Sequence, residues 1–185
     1  MKTRYLFAAI LAFTATAQAE VFVGDTTGGP LWNRPDEGAP PIQLSLAGTA
    51  VPYSAQPFVV SENGEYTFHS LATAPLNWDN YTFLYQITFD ASQPLTNVLI
   101  GNDDENDTVG VSSFQLVLST GVQYFFVTTG FENSDSGGFA NSITGPGKVT
   151  FIPEPSAATL MLGSLAIGGV ILATRRRRLS TAVTL

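Results

Sequence analysis

Residues 101–107 read Gly-Asn-Asp-Asp-Glu-Asn-Asp and place four carboxylates within five positions. Carboxylates this close raise one another's energy when ionised, and a cation relieves that repulsion. Side-chain oxygens in a turn that opens on glycine suit a hard ion such as Ca²⁺. Asp103, Asp104 and Asp107 are the candidate ligands, with Asp79 or Asp90 as distant partners. The EF-hand spacing is absent, so a solvated acidic turn is the competing reading. A second acidic stretch, residues 132–138 (Glu-Asn-Ser-Asp-Ser-Gly-Gly), reads as a mobile connection.

Other chemistry is sparse. His69 is the single histidine and cysteine is absent. Thiol catalysis and zinc centres built on thiolates or several imidazoles are therefore excluded. His69 falls on the polar face of an expected strand, with no Gly-x-Ser-x-Gly elbow near it, which argues for an exposed histidine over a serine hydrolase. Nothing separates two carboxylates from the acidic background as a glycosidase pair. Trp78, in the loop-like stretch Pro75-Leu76-Asn77-Trp78-Asp79, is the candidate sugar-stacking ring, against the alternative of core packing.

The ends of the chain carry addresses. Lys2 and Arg4 precede an apolar run at residues 5–13, and Ala17-Gln18-Ala19 supplies the small-x-small pattern of a signal-peptidase site. Residues 1–19 therefore read as a signal peptide cut between Ala19 and Glu20. At the other end, residues 157–174 hold no charge, and Arg175, Arg176, Arg177 and Arg178 follow at once. Eighteen residues make about 27 Å of helix at about 1.5 Å each, close to the roughly 30 Å hydrocarbon core, and arginine can snorkel across the shortfall. By the positive-inside rule the arginines and residues 179–185 are cytoplasmic, and everything before Pro153 lies outside the inner membrane.

Pro153-Glu154-Pro155, the apolar span and the arginine cluster, in that order, resemble the PEP-CTERM sorting signal of Gram-negative bacteria over residues 152–178. The resemblance implies recognition by an exosortase, a membrane-embedded cysteine transpeptidase-like protease. It would cut near the motif, so that a membrane-anchored precursor yields a protein of the cell surface or extracellular matrix. The seven residues after the arginines are more than such signals usually carry.

With both ends set aside, residues 20–152 hold two basic side chains, Arg34 and Lys148, against 14 acids, a net charge near −12 where the whole chain has −7. A surface this acidic repels phosphate backbones and excludes nucleic acid as a partner. Strand patterns appear at residues 51–60 and 65–71, joined by Asn63-Gly64, which predicts a hairpin. Tyr81, Phe83, Tyr85 and Ile87 alternate onto one face of a further strand. Residues 111–118 and 122–129 predict a second hairpin across Thr120-Gly121, and a last strand covers 148–152. The fold class is all-β, an antiparallel jelly-roll-like β-sandwich over residues 51–152. Residues 20–50 form an extended N-terminal arm and first strand, the Gly- and Pro-rich part of which lies on the sandwich or is disordered.

Residues 58–147 also resemble the bacterial pre-peptidase C-terminal-like domains. The matching features are Gly64-Glu65-Tyr66-Thr67-Phe68, Leu84-Tyr85, Phe89-Asp90, Pro94-Leu95-Thr96-Asn97, Asp103-Asp104, Leu118-Ser119-Thr120-Gly121 and Gly145-Pro146-Gly147. This resemblance implies an accessory β-sandwich module, calcium-bound in some members, without catalysis of its own. Three classes of function follow. The first is an exported, non-catalytic surface or matrix protein associated with exopolysaccharide. The second is a calcium-dependent glycan- or polymer-binding module, and the third an exported hydrolase.

Overall fold

The computed structural model describes residues 18–76 and 78–153. The candidate cleavage residue Ala17, the motif residues Glu154 and Pro155, the span at 157–174 and the four arginines lie outside the described residues. Among the described residues no helix is long and apolar enough to cross a membrane.

Ten strands account for the regular structure: β1 (Gln18–Asp25), β2 (Leu31–Trp32), β3 (Val51–Val60), β4 (Gly64–Ala74), β5 (Asn80–Gln86), β6 (Val98–Asn102), β7 (Val111–Leu118), β8 (Tyr124–Gly130), β9 (Gly138–Gly145) and β10 (Val149–Phe151). They form two antiparallel sheets. One runs β1-β9-β4-β7, the other β10-β3-β8-β5-β6 with β2 beside β3. Ala19 and Glu20 sit inside β1, where Ala19 pairs with Thr144 and Glu20 with Ile143.

Alternation sets which side chains meet. In β4, Tyr66, Phe68 and Ser70 are buried while Thr67 and His69 turn outward; in β9, Phe139, Asn141 and Ile143 do the same. Phe58, Tyr66, Phe68, Leu84, Phe126 and Ile143, drawn from both sheets, form the main core. Phe68 stacks on Phe114 at 4.9 Å and meets Phe126 edge-on at 5.2 Å, both favoured ring geometries.

Strand β5 is buried on both faces. Thr82 and Leu84 point into the interior, whereas Tyr81, Phe83 and Tyr85 join Trp32, Val51, Val98 and Val127 in a second cluster. The aromatic face of β5 thus lies against the N-terminal arm and Phe89, away from the opposing sheet. The arm is ordered. Arg34 N donates to Gly48 O, Ser45 N to Arg34 O and Asp36 N to Gln43 O, and Gly38 pairs with Gly101 of β6.

Both expected hairpins are corrected. Strands β3 and β4 belong to different sheets, as do β7 and β8, so Asn63-Gly64 and Thr120-Gly121 turn the chain between layers. The two-residue hairpin geometry is also absent: Gly121 is left-handed at φ 77°, but Gly64 at 153° already opens β4, and neither Asn63 nor Thr120 has positive φ. The two connections meet where Asn63 Oδ1 accepts the Thr120 N–H at 2.7 Å. A turn signal reports a reversal of direction; it carries no information on which strand supplies the ladder.

Candidate metal centre and the adjoining cleft

Two turns bring carboxylates together. Asp79 precedes β5, and Asp103 and Asp104 follow β6, the neighbour of β5 in the sheet. Adjacent strands therefore deliver all three to one edge, where Asp79, Asp103 and Asp104 place oxygens within 4.8 Å of one another. Oxygens that share a Ca²⁺ ion at about 2.3–2.6 Å are separated by at most roughly 5 Å, so this spread fits the ion. One oxygen of each carboxylate, Oδ1 in every case, is buried and has no hydrogen-bond partner within the protein.

The electrostatics show strain of the kind a cation relieves. Burial, then repulsion from Asp104 and Asp135, pushes the Asp79 carboxyl up to about 6, against the pull of Arg34. Burial, then Asp79 and Asp104, pushes Asp103 up to about 7, again opposed by Arg34. Asp104 is raised by burial and by Asp107. Holding these groups ionised at neutral pH costs free energy that a divalent cation would offset.

Two expected ligands stand elsewhere. Asp107 is exposed, on a turn where Asn106 and Asp107 have φ of 54° and 58°, and it is not one of the three. Left-handed backbone there turns its side chain outward, and Asp79 occupies the third place. Asp90 caps its own turn, its Oδ1 accepting from Ser92 N at 2.9 Å and Ser92 Oγ at 2.8 Å. Those bonds lower its pKa.

Trp78 is also corrected. It is 5% exposed and its Nε1 donates to Gly138 O at 2.9 Å, so the ring is packing and offers no open face. Trp32 is 3% exposed and donates to Thr129 Oγ1. His69 is half-exposed, 3.5 Å from Glu105 Oε2, and stands opposite Ser113 and Ser142 in the sheet. No serine hydroxyl bonded to His69 is found among the described residues, and the group sits on an open sheet face. The 132–138 connection is tied down: Asn133 Oδ1 accepts Ala50 N and Asp135 Oδ2 accepts Glu132 N.

Sequence reasoning missed Arg34. This guanidinium is 1% exposed, lies 4.0 Å from the Tyr81 ring centre, and donates to Gly130 O, Phe131 O and Pro35 O. Burial pulls its pKa down; Tyr81, Asp103 and Asp36 pull it back up. Its signal was legible: a lone arginine in a strongly acidic domain has a high chance of facing carboxylates. Above it opens a cleft of about 330 Å³ lined by Arg34, Asp36, Glu37, Tyr81 and Asp103 among others. Of the trio, Asp103 alone lines this cleft, so the cleft and the trio meet at that one residue.

No protein-family model matches this chain, and no curated protein is detectably similar to it.

Proposed function

We propose that this chain is an exported, non-catalytic protein of the cell surface or extracellular matrix, sorted and processed through Pro153, Glu154, Pro155, the apolar span and the arginine cluster. The observation that supports the reading is the reach of the fold. Apart from Gln18 and Ala19 at the head of β1, all ten strands lie between the expected cut after Ala19 and Pro153. The strand orders β1-β9-β4-β7 and β3-β8-β5-β6 support a jelly roll of two interlocked Greek keys, an architecture used by many binding modules. Signal peptidase and an exosortase-type protease are then the processing partners, with exopolysaccharide as the eventual surroundings. Glu154→Ala is expected to leave full-length protein in the inner-membrane fraction, and deletion of residues 175–178 to disturb its retention or orientation. Release of both variants at the wild-type rate, followed by immunoblotting of fractions, would reduce the tail to a simple anchor.

A second reading is favoured by one specific observation: three carboxylates within 4.8 Å, each with a buried, unpartnered oxygen. On this reading Asp79, Asp103 and Asp104 bind calcium, which stabilises the sandwich and supports attachment to acidic polymer. Equal retention of the protein on such a polymer with calcium and with chelator would remove the bridging role.

A further inference from the structure

The N-terminal arm holds aliphatic side chains out in water. Ile42 is 85% exposed and Leu46 94%, with Leu44 between them and Leu31 in β2 also exposed. They stand on a fixed frame. Arg34 N donates to Gly48 O at 3.0 Å, Ser45 N to Arg34 O at 2.8 Å and Asp36 N to Gln43 O at 2.9 Å. These bonds tie the limb that carries Ile42, Leu44 and Leu46 to Arg34, which itself packs on Tyr81. Ser45 is buried between Leu44 and Leu46, and its Oγ accepts the N–H groups of Ala47 and Gly48 at 3.1 Å each. The polar residue of the limb is thus turned in and the apolar ones are left outside.

Charge is absent from the same stretch. Residues 38–61 hold no acidic or basic side chain, within a domain of two bases against 14 acids. Aliphatic groups held rigidly outward in an uncharged patch mark a contact with a protein or a membrane. Two copies of so acidic a domain repel each other, which disfavours a second chain as the cover. The path of the chain selects the membrane. Strands β2 and β10 share one edge of β3, β2 at Val51 and Pro52 and β10 at residues 58–60. The chain leaves β10 antiparallel to β3, Ile152 N donating to Pro57 O at 2.8 Å and Ile152 O accepting Gln56 Nε2 at 3.2 Å. It is therefore headed along that edge toward β2 and the arm. Residues 153–156 alone precede the uncharged run 157–174, and four residues reach at most about 14 Å. A run seated in a bilayer would keep this end of the sandwich at the lipid surface.

We infer that Ile42, Leu44 and Leu46 insert into the interface of a zwitterionic lipid bilayer, a peripheral contact additional to the apolar span. The inference rests on the membrane reading of residues 157–174 proposed above. Asp36 and Glu37 adjoin the uncharged stretch and repel an anionic surface, so the lipid is zwitterionic. Interfacial apolar segments sink about 5–10 Å into the boundary of headgroups and acyl chains, a depth that side chains can reach without a pocket.

The chain has no cysteine, so single cysteines report on the arm alone. Ile42→Cys, Leu46→Cys and, as control, Val117→Cys, an exposed aliphatic of β7 in the opposing sheet, are placed as full chains in phosphatidylcholine nanodiscs, one chain per disc. Reaction with a charged, water-soluble maleimide is timed, and each rate is divided by that of the same variant unfolded in urea. Ile42→Cys and Leu46→Cys are expected to react at least about tenfold more slowly than Val117→Cys, the factor that about 1.4 kcal/mol of burial corresponds to. Adding Leu46→Asp to Ile42→Cys should restore the control rate, and so should discs of phosphatidylglycerol. Thermal melts of each variant establish that it is folded. Control rates at positions 42 and 46, protection that Leu46→Asp leaves unchanged, or equal protection in phosphatidylglycerol would overturn the inference. So would protection only at two chains per disc, which would make the cover a second copy. A chain that does not stay with the discs would remove the membrane reading as well, whereas a disc-bound chain with a freely labelled arm removes the insertion alone.

Discussion

Asp103→Asn offers a test whose sign reverses with calcium. The Asp103 carboxyl is raised from 3.8 to about 7. At about 1.36 kcal/mol per pKa unit that gap corresponds to roughly 4 kcal/mol of native-state destabilisation when the group is ionised. Asp103 is partly exposed and shares its repulsion with Asp79, so solvent screening and coupling bring a realistic figure down to about 2 kcal/mol. The direction follows from linkage. The folded state holds this proton more tightly than the unfolded chain, so the contribution of Asp103 to stability is greatest below about pH 4 and is lost as pH rises to about 7. Asparagine keeps the shape and removes the charge. In chelator at pH 8 the variant should melt about 6–10 °C above wild type, and at pH 4 the two should coincide. Millimolar calcium should stabilise wild type by about 2.7 kcal/mol if the concentration is about 100 times Kd, and the variant by much less. The order of melting temperatures then inverts. A variant that melts below wild type in chelator at pH 8 would refute the electrostatic argument, and an equal gap at pH 4 would assign the effect to packing. Unchanged wild-type melting with calcium would remove the ion.

Three further outcomes are expected. Arg34→Met deletes bonds to three carbonyls and the countercharge of the carboxylates, and should cost about 3 kcal/mol in urea unfolding; a loss below about 1 kcal/mol would show that the arm docks without it. Trp78→Phe should lose about 1–2 kcal/mol with its bond to Gly138 O and leave sugar titrations unchanged, since the ring is packing. Asn63→Ala should cost about 1 kcal/mol by releasing Thr120 N, and wild-type stability would show that the joined turns contribute nothing.

Strand positions were legible wherever one face meets the core and turn residues bound the run. The expected 51–60 coincides with β3, and Tyr66 and Phe68 fall inward as their alternation requires. Pairing was not legible, because Asn-Gly announces a turn equally well between two sheets as within one. Strand β9 was overlooked although it alternates cleanly, because its run Phe139-Ala140-Asn141-Ser142-Ile143 is half polar. Its buried Asn141 bonds Thr128 across the interior, and a sequence pattern scored on apolarity misses a polar residue that faces inward. Of the carboxylate site, the local run yielded Asp103 and Asp104. The third member, Asp79, was named beside Asp90 as a distant partner; the choice between them is made by β5–β6 pairing, which no local pattern encodes.

The polar interior also suggests how the two sheets keep their alignment. Ser70, Asn80, Thr82, Ser112, Thr128 and Asn141 are fully buried, beside a core of aromatic and aliphatic side chains. Asn80 bonds Ser70, Thr82 bonds Ser112, and Asn141 bonds Thr128, each pair joining one sheet to the other. Aromatic surfaces slide past one another at little cost, whereas a buried hydroxyl that loses its partner costs about 1–3 kcal/mol. A double-mutant cycle on Thr82→Val and Ser112→Ala measures this. Ser112→Ala alone leaves Thr82 without its partner and removes a contact of Asn102, and should cost about 2 kcal/mol. The double variant removes both hydroxyls, so it should be less destabilised than the sum of the singles by about 1 kcal/mol. Costs that simply add, within about 0.5 kcal/mol, would mean the hydroxyl pair does not couple the sheets, and that register is held by the aromatic core and the connections alone.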